Sequence, residues 1–353
     1  MAKKKTRAVR QSTLSIPRRL VEGLREAELL AEKKHWTEAR DQLEALDQRF
    51  PGQPDLLTQL VNVYYALQDT RGYLYACERL LKVDPDDAAA MTGLAGAYMD
   101  NAWFALARRT FQRFLQRWPD HPKAAEVGRT LLELERNLEA WLAHEEMSGE
   151  EGLRFAARHE EVQVYMSQRR YALARRSAEA LLQERPTFAP ALNNLSLVYY
   201  AEGQLDQALA AAQRVVVFDP ENVHALSNLA RFHCLMGQVE EARQCVARLR
   251  ASPAPAAERS LKVAEALSYL GDDAGVLDVF QQAERSGEGM STGSQATFSH
   301  LAAVAALRLG QTNAAHRYWQ QALKLRPGHD LTQANLDNLR RPVEEQYAPW
   351  PFS

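Results

Sequence analysis

Prolines recur along this chain on a fixed step. Pro51, Pro85 and Pro119 stand 34 residues apart, Pro186 follows 67 later and Pro220 another 34. Pro327 lies 107 beyond that, three steps plus five. A small residue sits twelve places before the period's end point in six units: Ala39, Ala107, Ala174, Ala208, Ala242 and Ala315. In the C-terminal half a glycine keeps the same step, at Gly203, Gly237 and Gly271, then at Gly310 after a five-residue insertion. A period of this length constrains the fold more than any composition does. It describes a stack of like units, none able to bury its apolar face alone, each covered by its neighbours.

The residue types say what one unit is. ALNNLSLVYYAEG followed by QLDQALAAAQRVVVFDP reads as two helices of about a dozen residues, with Leu192, Leu195 and Tyr199 on one helical stripe. Glycine between them takes a positive φ and ends the first helix. Alanine fits where the helices cross most closely. Proline ends the second helix, because it lacks an N–H and clashes with the preceding turn. Seventeen glycines, fifteen prolines and 8 % aromatics among 353 residues are sparse for a chain of turns and strands, so the class is all-α.

On these residues the chain resembles the tetratricopeptide repeat (TPR) family. One unit fills the matching places with Leu94, Tyr98, Ala107, Phe111 and Pro119, the fullest with Leu192, Leu195, Tyr199, Gly203, Ala208 and Pro220, and the last with Gly310, Ala315, Ala322 and Pro327. The family's early tryptophan is replaced by Leu57, Met91, Leu192 and Leu226, while Tyr73 and Val276 occupy small places. The resemblance implies an α-solenoid, a right-handed superhelix of helix–turn–helix repeats with capping helices. Repeats 1–3 occupy 20–121 (20–53, 54–87, 88–121), repeats 4–7 occupy 155–290 (155–188, 189–222, 223–256, 257–290) and repeat 8 occupies 296–329. Between the blocks, residues 122–154 lack a turn signal. Leu131, Leu134, Leu138, Trp141 and Leu142 form one stripe, which predicts a single bridging helix from about Lys123 to Glu146 and a glycine linker at Ser148–Gly152. Residues 330–341 are expected as a C-terminal cap with Leu331, Leu336 and Leu339 facing inward, and 342–353 as an aromatic, proline-rich tail, for which folding back on the cap is the first choice over docking on another molecule or leading into a further segment.

Charge is uneven although the total is −2. Lys3, Lys4, Lys5, Arg7, Arg10, Arg18 and Arg19 give residues 1–19 a charge of +7 with no acid, and the remainder carries −9. We read 1–19 as a basic, disordered leader without the apolar stretch of a secretory signal. No apolar run is long enough to span a membrane. Cys77, Cys234 and Cys245 form neither a disulfide framework nor a zinc motif, which fits a reducing, cytoplasmic setting.

No constellation of reactive residues stands out. His144-Glu145-Glu146 and His159-Glu160-Glu161 lack the second histidine of a zinc helix, and no phosphate-loop, dinucleotide or nucleophile-elbow pattern occurs. Asp84, Asp86, Asp87, Asp272 and Asp273 sit where helices begin and read as caps. Arg109, Arg113 and Arg117 share a face of a second helix and read as solvated. The expectation is a non-catalytic interaction scaffold with no cofactor and no metal. Its partner is a protein presenting an extended peptide or a helix, and the alternative is a nucleic-acid- or ribosome-associated adaptor using residues 1–19.

In the family the first helix of each pair lines the concave groove. That resemblance assigns Asn62, Tyr65, Thr92, Met99 and Asp100 to the groove, then His159, Met166, Asn193, Asn194 and Tyr200. Ser227, Asn228, Arg231, Glu265, Tyr269, His300 and Arg308 complete it. A family subclass clamps a terminal carboxylate with lysine, arginine and asparagine. The corresponding places here hold His159, Gln163, Asn194, His224 and Asn228, so only protonated His159 and His224 would supply charge, and a chaperone-tail clamp is disfavoured.

Overall fold

A computed structural model describes residues 17–287, 289–341, 345, 346, 348 and 349. Most of the basic leader, and Trp350 and Phe352 of the tail, lie outside the described residues. Among those described there are eighteen helices and no strand, an all-α solenoid of paired helices. By packing, the chain divides into two units, Met1–Leu94 and Ala95–Ser353.

The first unit holds α1 (Arg18–Glu32), α2 (Trp36–Arg49), α3 (Pro54–Leu67), α4 (Thr70–Val83) and the start of α5 (Ala88–Asp100). Its core is a leucine seam of Leu20, Leu43, Leu56, Leu57, Leu60 and Leu80, all buried. Tyr73, the large residue at a small place, is accommodated by a missing side chain opposite. A Cβ on Gly93 would collide with the Tyr73 hydroxyl. Arg79 forks onto Asp47 across two pairs, and Asp69 caps α4 by accepting from Gly72 N at 2.9 Å.

The second unit holds the rest of α5, then α6 (Phe104–Arg117) and α7 (Ala124–His144). Five pairs follow: α8 (Gly149–Ser167) with α9 (Tyr171–Glu184), α10 (Ala189–Ala201) with α11 (Leu205–Phe218), α12 (Val223–Leu235) with α13 (Val239–Ala251), α14 (Ala256–Leu270) with α15 (Asp273–Ser286), and α16 (Thr292–Arg308) with α17 (Thr312–Leu325). The last helix is α18 (Asp330–Asn338). From α9 onward each second helix packs on the first helix of the next pair. The crossing alanines Ala107, Ala174, Ala208, Ala242 and Ala315 are fully buried, so any larger side chain there would separate the pair.

The local signals act as their chemistry requires. The residue before each periodic proline (Phe50, Asp84, Trp118, Arg185, Asp219, Arg326) leaves the helix at φ between −129° and −140° with positive ψ, the restriction a following proline imposes. The turn between paired helices needs one left-handed residue in every unit. Gly203, Gly237, Gly271 and Gly310 supply it at φ 70–75°. The same place in the first four units is filled by Lys34, Gln68, Ala102 and Arg169 at φ 56–63°, which the glycine pattern alone does not disclose.

Around the bridge the structure departs from the sequence expectation. The stripe of leucines does form one helix, α7, but residues 149–152 are not a linker. They are the first turn of α8, and the connection is the short turn through Glu146 (φ 53°) and Gly149 (φ 61°). Gly152 is buried with Leu142 Cδ2 3.1 Å and Met147 Cβ 3.2 Å from where its side chain would begin, so this glycine serves close approach to α7, not flexibility. Trp141 of α7 meets the next pair edge-on at His159, 6.2 Å away, and lies 6.5 Å from Phe188, the residue before α10. α8 also reaches past α7 to α6, where Glu160 accepts from Ala105 N at 3.0 Å and Leu106 N at 2.8 Å and so caps that helix from another pair. Arg109 of the arginine stripe is exposed as expected but bonds Glu161 at 2.8 Å.

The C-terminal cap turns a different face inward from the one expected. Leu336 is buried, but Leu331 and Leu339 are only half-buried, and Thr332, Asn335 and Asn338 are at most 1 % exposed. Hydrogen bonds dock this polar stripe, Thr332 Oγ1 meeting His300 Nδ1 at 2.7 Å. Where the tail is described it lies back on the cap: Gln346 donates to Arg341 O at 2.9 Å and Pro349 is buried.

Two outcomes follow from this geometry. Ala102→Gly removes a left-handed alanine and should raise stability by about 1 kcal/mol, while Gly310→Ala should lower it by a similar amount, both read by denaturant unfolding. Burial pushes the Glu160 carboxyl up to about 7, against the pull of Ala105 N, Leu106 N and Arg109. The folded state therefore binds a proton that the unfolded chain has released, so stability falls as pH rises from 5 through 7. The expected span is about 1–3 kcal/mol, and Glu160→Gln should flatten that slope in unfolding curves collected from pH 5 to 8.

Candidate functional site

Three consecutive first helices, α10, α12 and α14, carry a connected set of polar and aromatic side chains. Their apolar stripes are spent on the core: Leu192, Leu195, Leu226, Leu229, Val263 and Leu267 are buried. The remaining face is free to present polar groups at the same helical spacing. Arg231 of α12 lies over two rings, Tyr269 of α14 at 4.7 Å and Tyr200 of α10 at 5.7 Å. Tyr200 also tilts against Phe232 at 5.8 Å between centroids. A guanidinium against two phenol faces is a cation–π arrangement that fixes a flexible side chain.

Beneath it runs an ionic strand. Glu265 accepts from Lys262 Nζ at 2.9 Å and from Ser227 Oγ at 3.2 Å. Burial alone would raise the Glu265 carboxyl, but Lys262 by charge and hydrogen bond, with Arg231 and His224 beyond, holds it below the usual carboxylate range. His224 bonds Glu258 at 2.9 Å at the exposed margin. Burial raises the Tyr269 phenol, against Arg231 and with Tyr200 and Glu265 adding to the rise, so it stays a neutral donor. Asn228 Nδ2 donates to Ser196 Oγ at 3.1 Å, tying α12 to α10. Asn194 is half-buried, and its Nδ2 is enclosed without an acceptor.

Of the residues assigned from the sequence, Tyr200, Ser227, Arg231, Glu265 and Tyr269 thus belong to one network, while Asn228 ties α12 to α10 beside it. Others have structural duties. Asn193 is buried and donates to Asn222 Oδ1 at 3.1 Å, the residue that caps α12. His159 is 6 % exposed, edge-on to Phe188 at 5.3 Å and Trp141 at 6.2 Å, and burial drives its imidazole down to about 4. It cannot serve as the protonated clamp residue considered above, because the aromatic enclosure excludes the charge. His300 is buried against Thr332 of the cap, which withdraws it from any open face. Arg308 pairs with Asp273. Met99 and Met166 are half-buried and Asp100 is exposed.

In the first unit, Asn62 is exposed and Tyr65 is 72 % exposed, the largest exposure of any aromatic described. Thr92 returns its hydroxyl to Ala88 O and Ala89 O of its own helix. The sequence reading passed over Lys262. Its signal was available, since it lies one helical turn before Glu265 with the spacing of an ion pair. Among the described residues, no three histidines, cysteines or acids stand close enough to hold a metal ion. Asp87 and Asp272 cap helices, accepting from Ala90 N and Gly275 N.

Comparison with known proteins follows the geometry. A tetratricopeptide repeat profile matches residues 58–122 and again 159–223, and a second profile of the same description matches 200–262. The chain is a tetratricopeptide repeat protein. No curated protein matches its sequence. Solved structures similar to this TPR chain include a tetratricopeptide repeat protein from Parabacteroides merdae, at 12 % identity and TM-score 0.45 over 80 % of this chain and 97 % of that one. The Cut9–Hcn1 hetero-tetramer of the APC/C is similar at 16 % and 0.45, with 86 % of this chain and 52 % of that one covered. Yeast Tom70 is similar at 11 % and 0.38, over 93 % and 82 %.

The ionic strand carries its own prediction. Lys262→Met removes the cation that keeps a nearly enclosed Glu265 ionised, and should destabilise the TPR array by about 1–3 kcal/mol at pH 7. The loss should shrink in Lys262→Met/Glu265→Gln, as a thermal-unfolding double-mutant cycle would show.

Proposed function

We propose that this TPR protein is a non-catalytic scaffold whose first-helix face over α10, α12 and α14 receives an extended segment or helix of a protein partner. TPR arrays are protein–protein interaction scaffolds, and stacked repeats offer extended surfaces for that purpose. The observation that carries the assignment is Arg231 held between Tyr200 and Tyr269. Three successive pairs present one aromatic and cationic surface, preorganised by the Glu265–Lys262–Ser227 strand below it. Tyrosine and arginine are the residues that dominate interface energetics, and a side chain fixed before binding loses less entropy on binding. Asn194 and Tyr200 extend the surface toward the preceding pair, and Asn62 and Tyr65 offer a second, separate contact in the first unit.

The reading includes a cytoplasmic setting, supported by three thiols left free, Cys77 and Cys245 of them buried. No helix among the described residues is long and apolar enough to cross a membrane.

Tyr200→Ala and Tyr269→Ala, separately and together with Arg231→Ala, should reduce recovery of the partner in affinity purification from the native cell by tenfold or more, with circular dichroism unchanged. Recovery of the same partners by the triple variant would overturn the assignment.

A further inference from the structure

The repeat logic is broken in one pair, the one that follows the inserted α7. Leu192 and Leu195 on α10, and Leu226 and Leu229 on α12, are buried and close each pair against the one before. The same two places on α8 hold Arg158 and Glu161. On the second helix, Arg214 and Arg248 occupy one equivalent place and reach back to the carbonyls of Pro186 and Pro220. In α9 that place is Ala180. Charge replaces leucine and a methyl replaces an arginine, and between the helices lies a cavity of about 280 Å³. Arg158, Glu161 and Tyr165 of α8 line it with Leu173, Arg176, Ser177 and Ala180 of α9, so one carboxylate stands in the wall beside the two arginines.

The charges around the cavity do not cancel. Glu161 is answered by Arg109 at 2.8 Å, and Glu184 by Arg158 at 2.7 Å. Of the four arginines between 169 and 176, Arg175 is committed to Glu202 at 3.1 Å. Arg170 lies over the Tyr165 ring at 5.0 Å and bonds the neutral Gln168, and Arg176 is exposed at the cavity wall with no acid bonded to it among the described residues. The lining therefore offers guanidinium, serine hydroxyl and phenol donors under an excess of positive charge. With Glu161 held by Arg109, that donor set suits a compact anion with several acceptor oxygens, such as a phosphate group.

We propose that the α8–α9 cavity is a binding site for a phosphomonoester, either a phosphorylated side chain of a partner or a small phosphorylated metabolite, with Arg176 as its principal cation. The site is distinct from the face over α10, α12 and α14 and does not depend on it. Calorimetric titration of the full chain with inorganic phosphate, O-phosphoserine and a phosphoserine peptide tests the proposal. Binding of phosphoserine at about 1 mM or tighter is expected. Arg176→Ala should weaken it at least tenfold. Ala180→Arg, which restores the residue of the two following pairs and fills the cavity, should abolish it while leaving helicity and unfolding temperature unchanged. A peptide that binds tighter than free phosphoserine assigns the site to a partner chain, and equal binding assigns it to a small molecule. Either supports the site. The proposal fails if no phosphomonoester binds, if Ala180→Arg binds as the parent does, or if only a single-stranded oligonucleotide binds and neither variant affects it.

Discussion

Leu192 and Leu195 are buried against the Ala174–Ala178–Leu181 face of the preceding helix, and Leu226 and Leu229 repeat the arrangement one pair later. This apolar seam, from one pair's second helix to the next pair's first, is what the second unit rests on. A single helix pair exposes as much apolar surface as it buries, so its stability is borrowed from its neighbours. The crossing alanine sets how closely the helices of a pair approach, and hence where the leucines of the seam arrive. Once both are fixed, the face left over on each first helix is determined. That face is where Arg231, Tyr200 and Tyr269 meet.

One junction is built on different physics. Between α6 and α8 the contacts include Glu160 on two backbone N–H groups, Arg109 on Glu161 and Arg108 on Glu150, and Arg108 also bonds Glu135 of α7. Such contacts are screened by salt and altered by pH, where leucine contacts are not. The inserted α7 accounts for the change. By packing on α6 it takes up the apolar surface that would otherwise receive α8, and it passes the chain on through Trp141, whose ring meets Phe188. The pair that follows is freed from the requirement for leucine at 158 and 161, and the cavity beside α9 is a consequence of that freedom.

What the sequence disclosed divides along the same line. Prolines, alanines and leucines recur because packing favours them in most units, and they are legible from spacing alone. The left-handed turns at Lys34, Gln68, Ala102 and Arg169 were hidden because four different side chains pay the same backbone cost that glycine avoids. The glycines at 149 and 152 looked like a flexible linker, yet one makes a turn and the other lets α7 and α8 touch. Composition does not distinguish these uses. In the groove assignment, position on a first helix identified Tyr200, Arg231, Glu265 and Tyr269. It could not tell that His159 and His300 were enclosed, because enclosure depends on Phe188, Trp141 and Thr332, which come from other elements.

Polar residues at repeat positions therefore fall into two physical kinds. Asn193, Asn222, Ser196 and Asn228 satisfy one another and helix ends, and they are buried or nearly so. Their hydrogen bonds fix the register of α10 against α12, and substituting any of them leaves an unsatisfied partner. Arg231 and Arg176 are different, since each retains its charge where a second molecule would meet it: Arg231 held by ring faces, Arg176 standing at a cavity wall. Ring faces position a guanidinium while leaving its edge open to an oxygen acceptor. Such an arginine is accommodated where the apolar seam is already secure: the first cation lies over three well-packed pairs, and the second beside the junction where α7 has relieved the seam of its usual duty.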